Sequence, residues 1–181
     1  MRHTISVLVE NKFGVLARIA GLFSGRGFNI ESLTVGPTQD QKFSKMTIVT
    51  SGDDAVLEQI DKQLNKLVNV VQVTDLTGSG FVARELMLIK VSTTAATRND
   101  VIQVANIFKA NVIHVEHDCL IVEVIGRSEK LDAFIELMSK FGIIELARTG
   151  KLALARSSEA TENIVVSFPT PAAAESTTQQ S

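Results

Sequence analysis

The spacing of apolar residues divides the first half of the chain into strand-like and helix-like segments. Alternation with a period of two predicts strands, and recurrence three and four positions apart predicts helices. The strand-like segments are residues 5–10, 28–35, 43–50 and 70–76, and the helix-like segments are residues 15–23 and 56–67. Gly25 and Gly27 indicate where the first helix ends, and residues 51–54 supply capping oxygens for the second. The order predicts a βαββαβ unit over residues 3–76.

The second strand carries an irregular apolar pattern. Phe28 and Ile30 fall on one face, whereas Leu33 and Val35 fall on the other. Because side chains alternate strictly along a regular strand, this change of phase predicts a β-bulge near Glu31.

The same order of segments recurs in the second half of the chain. Strand-like segments cover residues 85–92, 112–116, 119–125 and 143–147, and helix-like segments cover residues 97–109 and 128–138. The last strand has an alternative end, because Leu152 and Leu154 would continue its apolar pattern. Ser128 is a favourable N-cap for the last helix. Two such units form an internal repeat, so we predict an α+β fold of two ferredoxin-like domains.

Composition indicates where the domains begin and end. Residues 77–80 are Thr, Gly, Ser and Gly, which form a short flexible joint. The predicted units are a first domain at residues 1–77, a linker at 78–83 and a second domain at 84–156. Residues 157–181 are rich in Ala, Thr, Ser, Glu, Pro and Gln and are predicted to be a low-complexity, mostly disordered tail. The alternative for residues 164–166 of this tail, which are apolar, is a short strand docked on the folded part of the chain.

Charge and cysteine content exclude several classes of protein. The net charge is −2 and no basic run is present, which argues against a nucleic-acid partner. No segment approaches the roughly 18 consecutive apolar residues of a membrane span. The single cysteine, Cys119, excludes an intrachain disulfide framework, and the N-terminus lacks the apolar region of a signal peptide. We therefore expect a cytoplasmic protein.

The second strand is predicted to lie at an edge of the first sheet, because right-handed crossovers place the first and third strands in the centre. Only Glu31 contributes a charge along it. Its unpaired N–H and C=O groups therefore favour antiparallel pairing with a second copy, giving a homodimer. Within one chain Asn29 lies at the opposite end of the sheet from the turn of residues 11–14. A two-fold axis carries the partner's Asn29 toward that turn.

The turn of residues 11–14 directly precedes the first helix, where backbone N–H groups and the helix dipole favour an anion. Gly14 has no Cβ, so a ligand can approach the backbone, and Asn29 offers donors and an acceptor. We predict a small amino-acid site divided between two subunits. The alternative is structural: Asn11 caps the turn, Gly14 satisfies a backbone angle and Asn29 begins a strand.

The amino-acid sequence of this region also resembles that of a known family. ENKFGVLARIAGLFSGRGFNIESLTVGPT, followed by SKMTIVT and LEQIDKQLNKLVNVVQV, is similar to the ACT domain of the small, regulatory subunit of acetohydroxyacid synthase (acetolactate synthase). ARELMLIKV, KLDAF and ELARTG resemble the ACT-like C-terminal domain of that subunit. The resemblance covers about residues 1–156.

The resemblance implies a regulatory subunit without catalytic residues or a cofactor of its own. It implies binding to a large catalytic subunit that depends on thiamine diphosphate, with Mg and FAD, in the biosynthesis of valine, leucine and isoleucine. The small subunit raises the activity of its partner and confers feedback inhibition by valine, bound at the ACT dimer interface. The implied effector contacts are Asn11, Gly14, Val15 and Leu16 of one subunit and Asn29 and Ile30 of the other. Phe13 departs from the pattern, because related ACT sequences often have Pro there.

Catalytic motifs are not recognisable in the sequence. Residues 78–80 match only the start of a dinucleotide-binding fingerprint, and a strand follows them instead of a helix. None of the three histidines has an evident Ser or Cys nucleophile with an orienting carboxylate. These observations favour a binding protein over an enzyme.

His114, His117 and Cys119 are the candidates for a zinc or nickel site. His114 and His117 are an odd number of residues apart, so in a regular strand they face opposite ways. We therefore expect no metal site, but two histidines near a turn and a buried thiol. A free-standing amino-acid- or metal-sensing module with another partner is the alternative to the regulatory subunit.

Four charged residues of the second half are candidates for contacts to a catalytic partner. They are Arg84, Glu85, Arg127 and Arg148. Charged side chains are usually solvated, so the expectation for each is an exposed surface charge.

Overall fold

The computed structural model describes residues 1–78 and 80–156, and it contains two βαββαβ units in succession. The first consists of β1 (Arg2–Glu10), α1 (Val15–Gly25), β2 (Ile30–Pro37), β3 (Phe43–Ser51), α2 (Asp54–Leu64) and β4 (Val70–Asp75). The second consists of β5 (Phe81–Ser92), α3 (Arg98–Ile107), β6 (Asn111–Val115), β7 (Cys119–Gly126), α4 (Ser128–Ser139), β8 (Ile143–Arg148) and the additional β9 (Leu152–Ala155). The predicted fold of two ferredoxin-like domains is confirmed. The predicted tail lies outside the described residues.

The first sheet has the strand order β2-β3-β1-β4, with all neighbours antiparallel. β1 is therefore central and β2 lies at an edge, as predicted. The register of β2 against β3 shifts between Ile30 and Ser32. This shift is the β-bulge that the change of apolar phase predicted.

The core of the first domain lies between the sheet and its two helices. Ile5 and Val7 of β1 and Ile48 of β3 face α1 and α2, and each is at most 1% exposed. Phe23 of α1 and Ile60 of α2 close the core from the other side and have no exposed surface. The central position of β1 explains why its residues from His3 onward are so apolar or buried, since β1 has a strand on each side.

Asp53 caps α2, as the polar residues before the helix predicted. Its side chain accepts a hydrogen bond of 2.8 Å from the backbone N–H of Val56. An Asp53→Ala substitution leaves that N–H without its cap and is expected to lower the free energy of unfolding by about 1 kcal/mol. Urea denaturation measures the change. Asp54→Ala, which removes a first-turn charge without removing the cap, is the control and should cost less.

The second sheet has the order β6-β7-β5-β8 and packs against α3 and α4. Met87 and Ile89 of β5 meet Val101 of α3 and Phe134 of α4, and all four are fully buried. Among the described residues, none of the helices has the length and apolar character needed to cross a membrane.

The ends of β5 and β8 differ from the expectations. β5 begins at Phe81, so residues 81–83 of the predicted linker belong to a strand. β8 is not prolonged, because Gly150 has a φ of +84° and turns the chain before β9 begins. Ser128 is not the N-cap of α4: Arg127 holds that position, and the Ser128 hydroxyl donates to Glu85 instead.

β9 joins the two domains. It pairs with the first residues of β5, from Phe81 opposite Ala155 to Arg84 opposite Leu152. This ribbon contacts the face of the first sheet that carries no helices. The N–H of Ala153 donates to the hydroxyl of Thr47 on β3 at 3.2 Å, and both residues are at most 1% exposed. The second domain is thereby packed directly on the sheet of the first.

Candidate functional site

Backbone and side-chain contacts fix the turn of residues 11–14 at the end of β1. The N–H of Asn11 donates to the carbonyl of Lys42 at 2.7 Å, and its side-chain amide donates to the carbonyl of Gln41 at 2.9 Å. Glu10 accepts hydrogen bonds from Asn69 and Lys12, which hold the pKa of its carboxyl below the usual value. Asn11 therefore anchors the turn to the β2–β3 loop.

Gly14 is the N-cap of α1 and requires glycine because of its backbone. Its φ is +80°, in the left-handed region that side chains with a Cβ disfavour. A Cβ built on it would meet no atom within 4 Å, so the space above it is open. No side chain caps α1, and its first turn contains no acidic residue. A helix start of this kind leaves backbone donors and a positive dipole end for an anion.

The residues around Gly14 differ in what they present to solvent. The side chain of Val15 is 4% exposed and belongs to the core, so it offers only its backbone at the surface. Leu16 is 42% exposed, and Phe13 is completely exposed. Leu16 and Phe13 therefore form an apolar margin beside the open helix start.

Asn29 lies at the other end of the sheet, as predicted. Its carbonyl accepts a 2.7 Å hydrogen bond from the hydroxyl of Thr50, which pairs with His3 at the start of β1. The turn follows Glu10 at the far end of that strand, so the two sites are roughly 25 Å apart at about 3.3 Å per residue. Asn29 is exposed and Ile30 is partly buried. One chain alone does not bring Asn29 and Gly14 together.

β2, which follows Asn29, pairs with β3 alone in the described part of the chain. Its one charged residue, Glu31, accepts hydrogen bonds from Ser51 and Arg2 of the same sheet. These bonds, Ser51 first, hold the pKa of Glu31 below its usual value. The carboxylate is therefore neutralised within the chain, and β2 lacks the free charges that usually protect an edge strand.

Comparison with known proteins identifies the family. A family model described as the small subunit of acetolactate synthase matches residues 84–157. A second model, described as the AHAS small subunit-like ACT domain, matches residues 5–72. The chain belongs to the family of acetolactate synthase small subunits. This membership confirms the resemblance and gives the chain a regulatory role in branched-chain amino acid biosynthesis.

Individual relatives and a solved structure agree with this assignment. The "probable acetolactate synthase small subunit" of Archaeoglobus fulgidus is 54% identical over 159 residues, covering 88% of this chain and 99% of the relative. The acetolactate synthase small subunit of Mycobacterium bovis is 53% identical over 154 residues, covering 85% and 92%. The crystal structure of the Thermotoga maritima small subunit superposes with a TM-score of 0.81 at 40% identity, covering 87% of this chain and 98% of that one.

Glu85, one of the predicted surface charges, is buried and forms an ion pair with Arg148. Arg148 of β8 donates two hydrogen bonds of 2.8 Å to the carboxylate of Glu85 and one of 2.7 Å to Asp132. The Glu85 side chain is 7% exposed and that of Arg148 is 28% exposed. Burial by itself raises the pKa of Glu85, but the hydrogen bonds and charge of Arg148 outweigh it, so the pKa is lowered. The same pair raises the pKa of Arg148.

This pair lines a cleft of about 580 Å³ between the two domains. Arg2, Glu31, Ser32 and Leu33 line it from the first domain. The expectation of a solvated charge was wrong for Glu85, which is buried, whereas Arg148 is exposed at the surface but is held in the ion pair. It holds for Arg84 and Arg127, which are exposed.

The metal candidates are not brought together as a set. Cys119 lies beside the carboxylates of Glu116 and Asp118, with their ligand atoms within 4.8 Å of one another, and His117 is not in that group. His114 lies 3.0 Å from the carboxylate of Glu116. Burial raises the pKa of the Cys119 thiol, which keeps it protonated at neutral pH and makes it a poor ligand.

Proposed function

We propose that this chain activates the thiamine-diphosphate-dependent catalytic subunit of acetolactate synthase and makes it sensitive to valine. Family membership supports the regulatory role. The valine site would lie between two copies of the chain that pair through β2. The observation that carries this proposal is the unprotected edge of β2, with Asn29 at one end and the open start of α1 beyond the other.

Antiparallel pairing of the β2 strands of two subunits would bring Asn29 of one subunit close to the start of α1 in the other. A pairing centred on Leu33 and Thr34 would bring the partner's Asn29 near Thr38, at the start of the β2–β3 loop. Asn11 of this chain is hydrogen-bonded to that same loop through Gln41. A two-fold axis would create two equivalent sites, one on each side.

The chemistry of the combined site suits a small apolar amino acid. The backbone donors at the start of α1 would bind the carboxylate, since no side chain caps them. The side-chain oxygen and amide of the partner's Asn29 would accept from the ammonium and donate to the carboxylate. Leu16 and the partner's Ile30 would contact the isopropyl group, and the backbone of Val15 would border the site.

Calorimetric titration of the purified chain with valine, leucine, isoleucine and aspartate tests the proposal. Valine is expected to bind saturably, at about one or two molecules per dimer with two equivalent sites. Aspartate carries a second negative charge and should release no heat, because the margin at Leu16 and Phe13 is apolar. Sedimentation velocity on the same sample checks that the chain is dimeric.

Absence of saturable binding by any branched-chain amino acid would contradict a sensor formed by the chain alone. The titration would then be repeated on the complex with the catalytic subunit. Activation of that subunit without any valine response would leave an activator that lacks feedback. Phe13→Pro would then be the first substitution to test.

A further inference from the structure

The loop of residues 149–151 contacts β2, although it belongs to the second domain. The backbone N–H of Lys151 donates to the hydroxyl of Ser32 at 2.9 Å. The hydroxyl of Thr34 donates to the carbonyl of Thr149 at 3.1 Å. Ser32 and Thr34 follow the bulge of β2 on the same face of the strand. The loop is therefore bonded to two side chains of the strand that begins at Ile30.

The same loop is bonded just as closely to the second domain. The N–H of Thr149 donates to the carbonyl of Leu86 at 3.0 Å, and the N–H of Leu86 donates to the Thr149 hydroxyl at 3.1 Å. Arg148, the preceding residue, is held by Glu85 and Asp132. The loop is therefore hydrogen-bonded to β5 and, through Arg148, to α4.

Gly150 allows the loop to approach β2 this closely. Its φ is +84°, and a Cβ built on it would lie 2.6 Å from the Ser32 hydroxyl oxygen and 3.0 Å from that of Thr34. Both distances are shorter than an ordinary contact. A side chain at this position would force the Ser32 hydroxyl to turn away from the N–H of Lys151.

We infer that the loop of residues 149–151 couples the effector site to the second domain. This inference rests on the proposed function and adds the route by which bound valine is sensed. Valine held by Asn29 and Ile30 would act on β2 directly before the bulge. The bulge disrupts the pairing with β3 locally, and Ser32 and Thr34 would carry a shift of the strand at this point to the loop. Arg148 would pass it to β5 through Glu85 and to α4 through Asp132.

If the contact between the loop of residues 149–151 and β2 couples the two sites, removing it should leave valine binding intact but abolish inhibition of the catalytic subunit. The first variant is Gly150→Ala, tested in the complex reconstituted with the catalytic subunit. Valine binding should stay within about threefold of the wild-type affinity, whereas inhibition at saturating valine should fall below about twofold. Binding is measured by calorimetry and inhibition by the rate of acetolactate formation.

Gly142→Ala is the matched control for backbone strain. Gly142 also has a positive φ, +94°, but a Cβ there would meet only Ser92 at an ordinary 3.7 Å. An alanine there would also occupy the left-handed region of the backbone, but it would not touch β2. Inhibition by valine should remain at the wild-type level in this variant.

A second pair of variants removes the contacts without straining the backbone. The double substitution Ser32→Ala and Thr34→Val deletes both hydroxyls that face the loop, and inhibition should fall as in Gly150→Ala. The control is Thr94→Val, an exposed threonine of the second domain whose hydroxyl bonds locally to that of Thr97 at 3.1 Å. Its inhibition should be unchanged.

The outcomes separate the two proposals. If the complex of the wild-type chain with the catalytic subunit binds no valine, the proposed valine sensing fails and the coupling route fails with it. If the wild type binds valine and is inhibited, but both loop variants are inhibited normally, the route alone is overturned. Loss of inhibition together with loss of valine binding in the Ser32 and Thr34 variant would also overturn it, because the residues would then belong to the site.

Discussion

An Asn29→Leu substitution is expected to raise the valine concentration needed for half-maximal inhibition by about 100-fold. Two hydrogen bonds to charged groups of the ligand would be lost, at about 1.5 kcal/mol each, and every 1.4 kcal/mol is a factor of ten. Activation of the catalytic subunit should persist, because Asn29 is exposed and its backbone contact to Thr50 does not involve the side chain. Rates of acetolactate formation, with and without valine, measure both effects.

Asn29 is a better position for this test than Gly14. A larger residue at Gly14 would also weaken valine binding, but its φ of +80° would strain the turn at the same time. The resulting loss could then be attributed to folding. Asn29 is exposed, and surface substitutions of this type usually change stability by less than about 0.5 kcal/mol.

Asn99→Leu is the matched control, because Asn99 is an exposed asparagine on α3 of the second domain. It should respond to valine as the wild type does. Unchanged inhibition in Asn29→Leu would remove Asn29 from the effector site. Simultaneous loss of activation and inhibition in Asn29→Leu alone would mean that sensing and activation do not use separate regions.

The sequence was sufficient for the parts of the fold that follow from apolar periodicity. The change of phase between Ile30 and Leu33 predicted the bulge, since a strand that buries one face cannot change phase without an extra residue. The split βαβ order predicted the edge position of β2. Both predictions depend on local pattern and chain topology, which a single sequence contains.

β9 was missed because its partner is distant and its signal is short. Residues 152–155 read LALA, which alternates like the end of the preceding strand. Only the positive φ of Gly150 separates β9 from β8, and the contact with Ser32 and Thr34 explains why glycine is there. A contact between residues more than 100 positions apart leaves no periodic trace in the sequence.

The burial of Glu85 could have been predicted from its position in the alternating pattern of β5. Glu85 lies two residues before Met87 and four before Ile89, so it shares the buried face of β5. A carboxylate on such a face requires a paired cation, and Arg148 at the end of β8 was an available one. The two halves of the effector site are not brought together by one chain, because Asn29 and Gly14 lie at opposite ends of the first sheet.

Replacing Arg148 with methionine is expected to lower the free energy of unfolding by about 3 kcal/mol at pH 7, because it leaves Glu85 buried without its cation. The lower end of the usual range applies, since the Arg148 side chain is 28% exposed. Urea denaturation followed by circular dichroism measures the loss. Lys62→Met is the control: it breaks the exposed pair with Glu58 on α2, and the denaturation midpoint should hardly move.

The dependence of this loss on pH identifies Glu85 as its cause. In the wild type the pKa of folded Glu85 lies below its usual value of 4.5, so the pair contributes fully above pH 4.5 and is lost as the pH falls through the folded pKa. Without Arg148, burial raises the pKa of folded Glu85, and the variant gains stability as acid protonates it. The difference between the two proteins should therefore narrow from pH 7 toward pH 4. Adding Glu85→Gln to Arg148→Met should restore most of the stability and remove this pH dependence, whereas a pH-independent difference would assign the loss to the packing of Arg148.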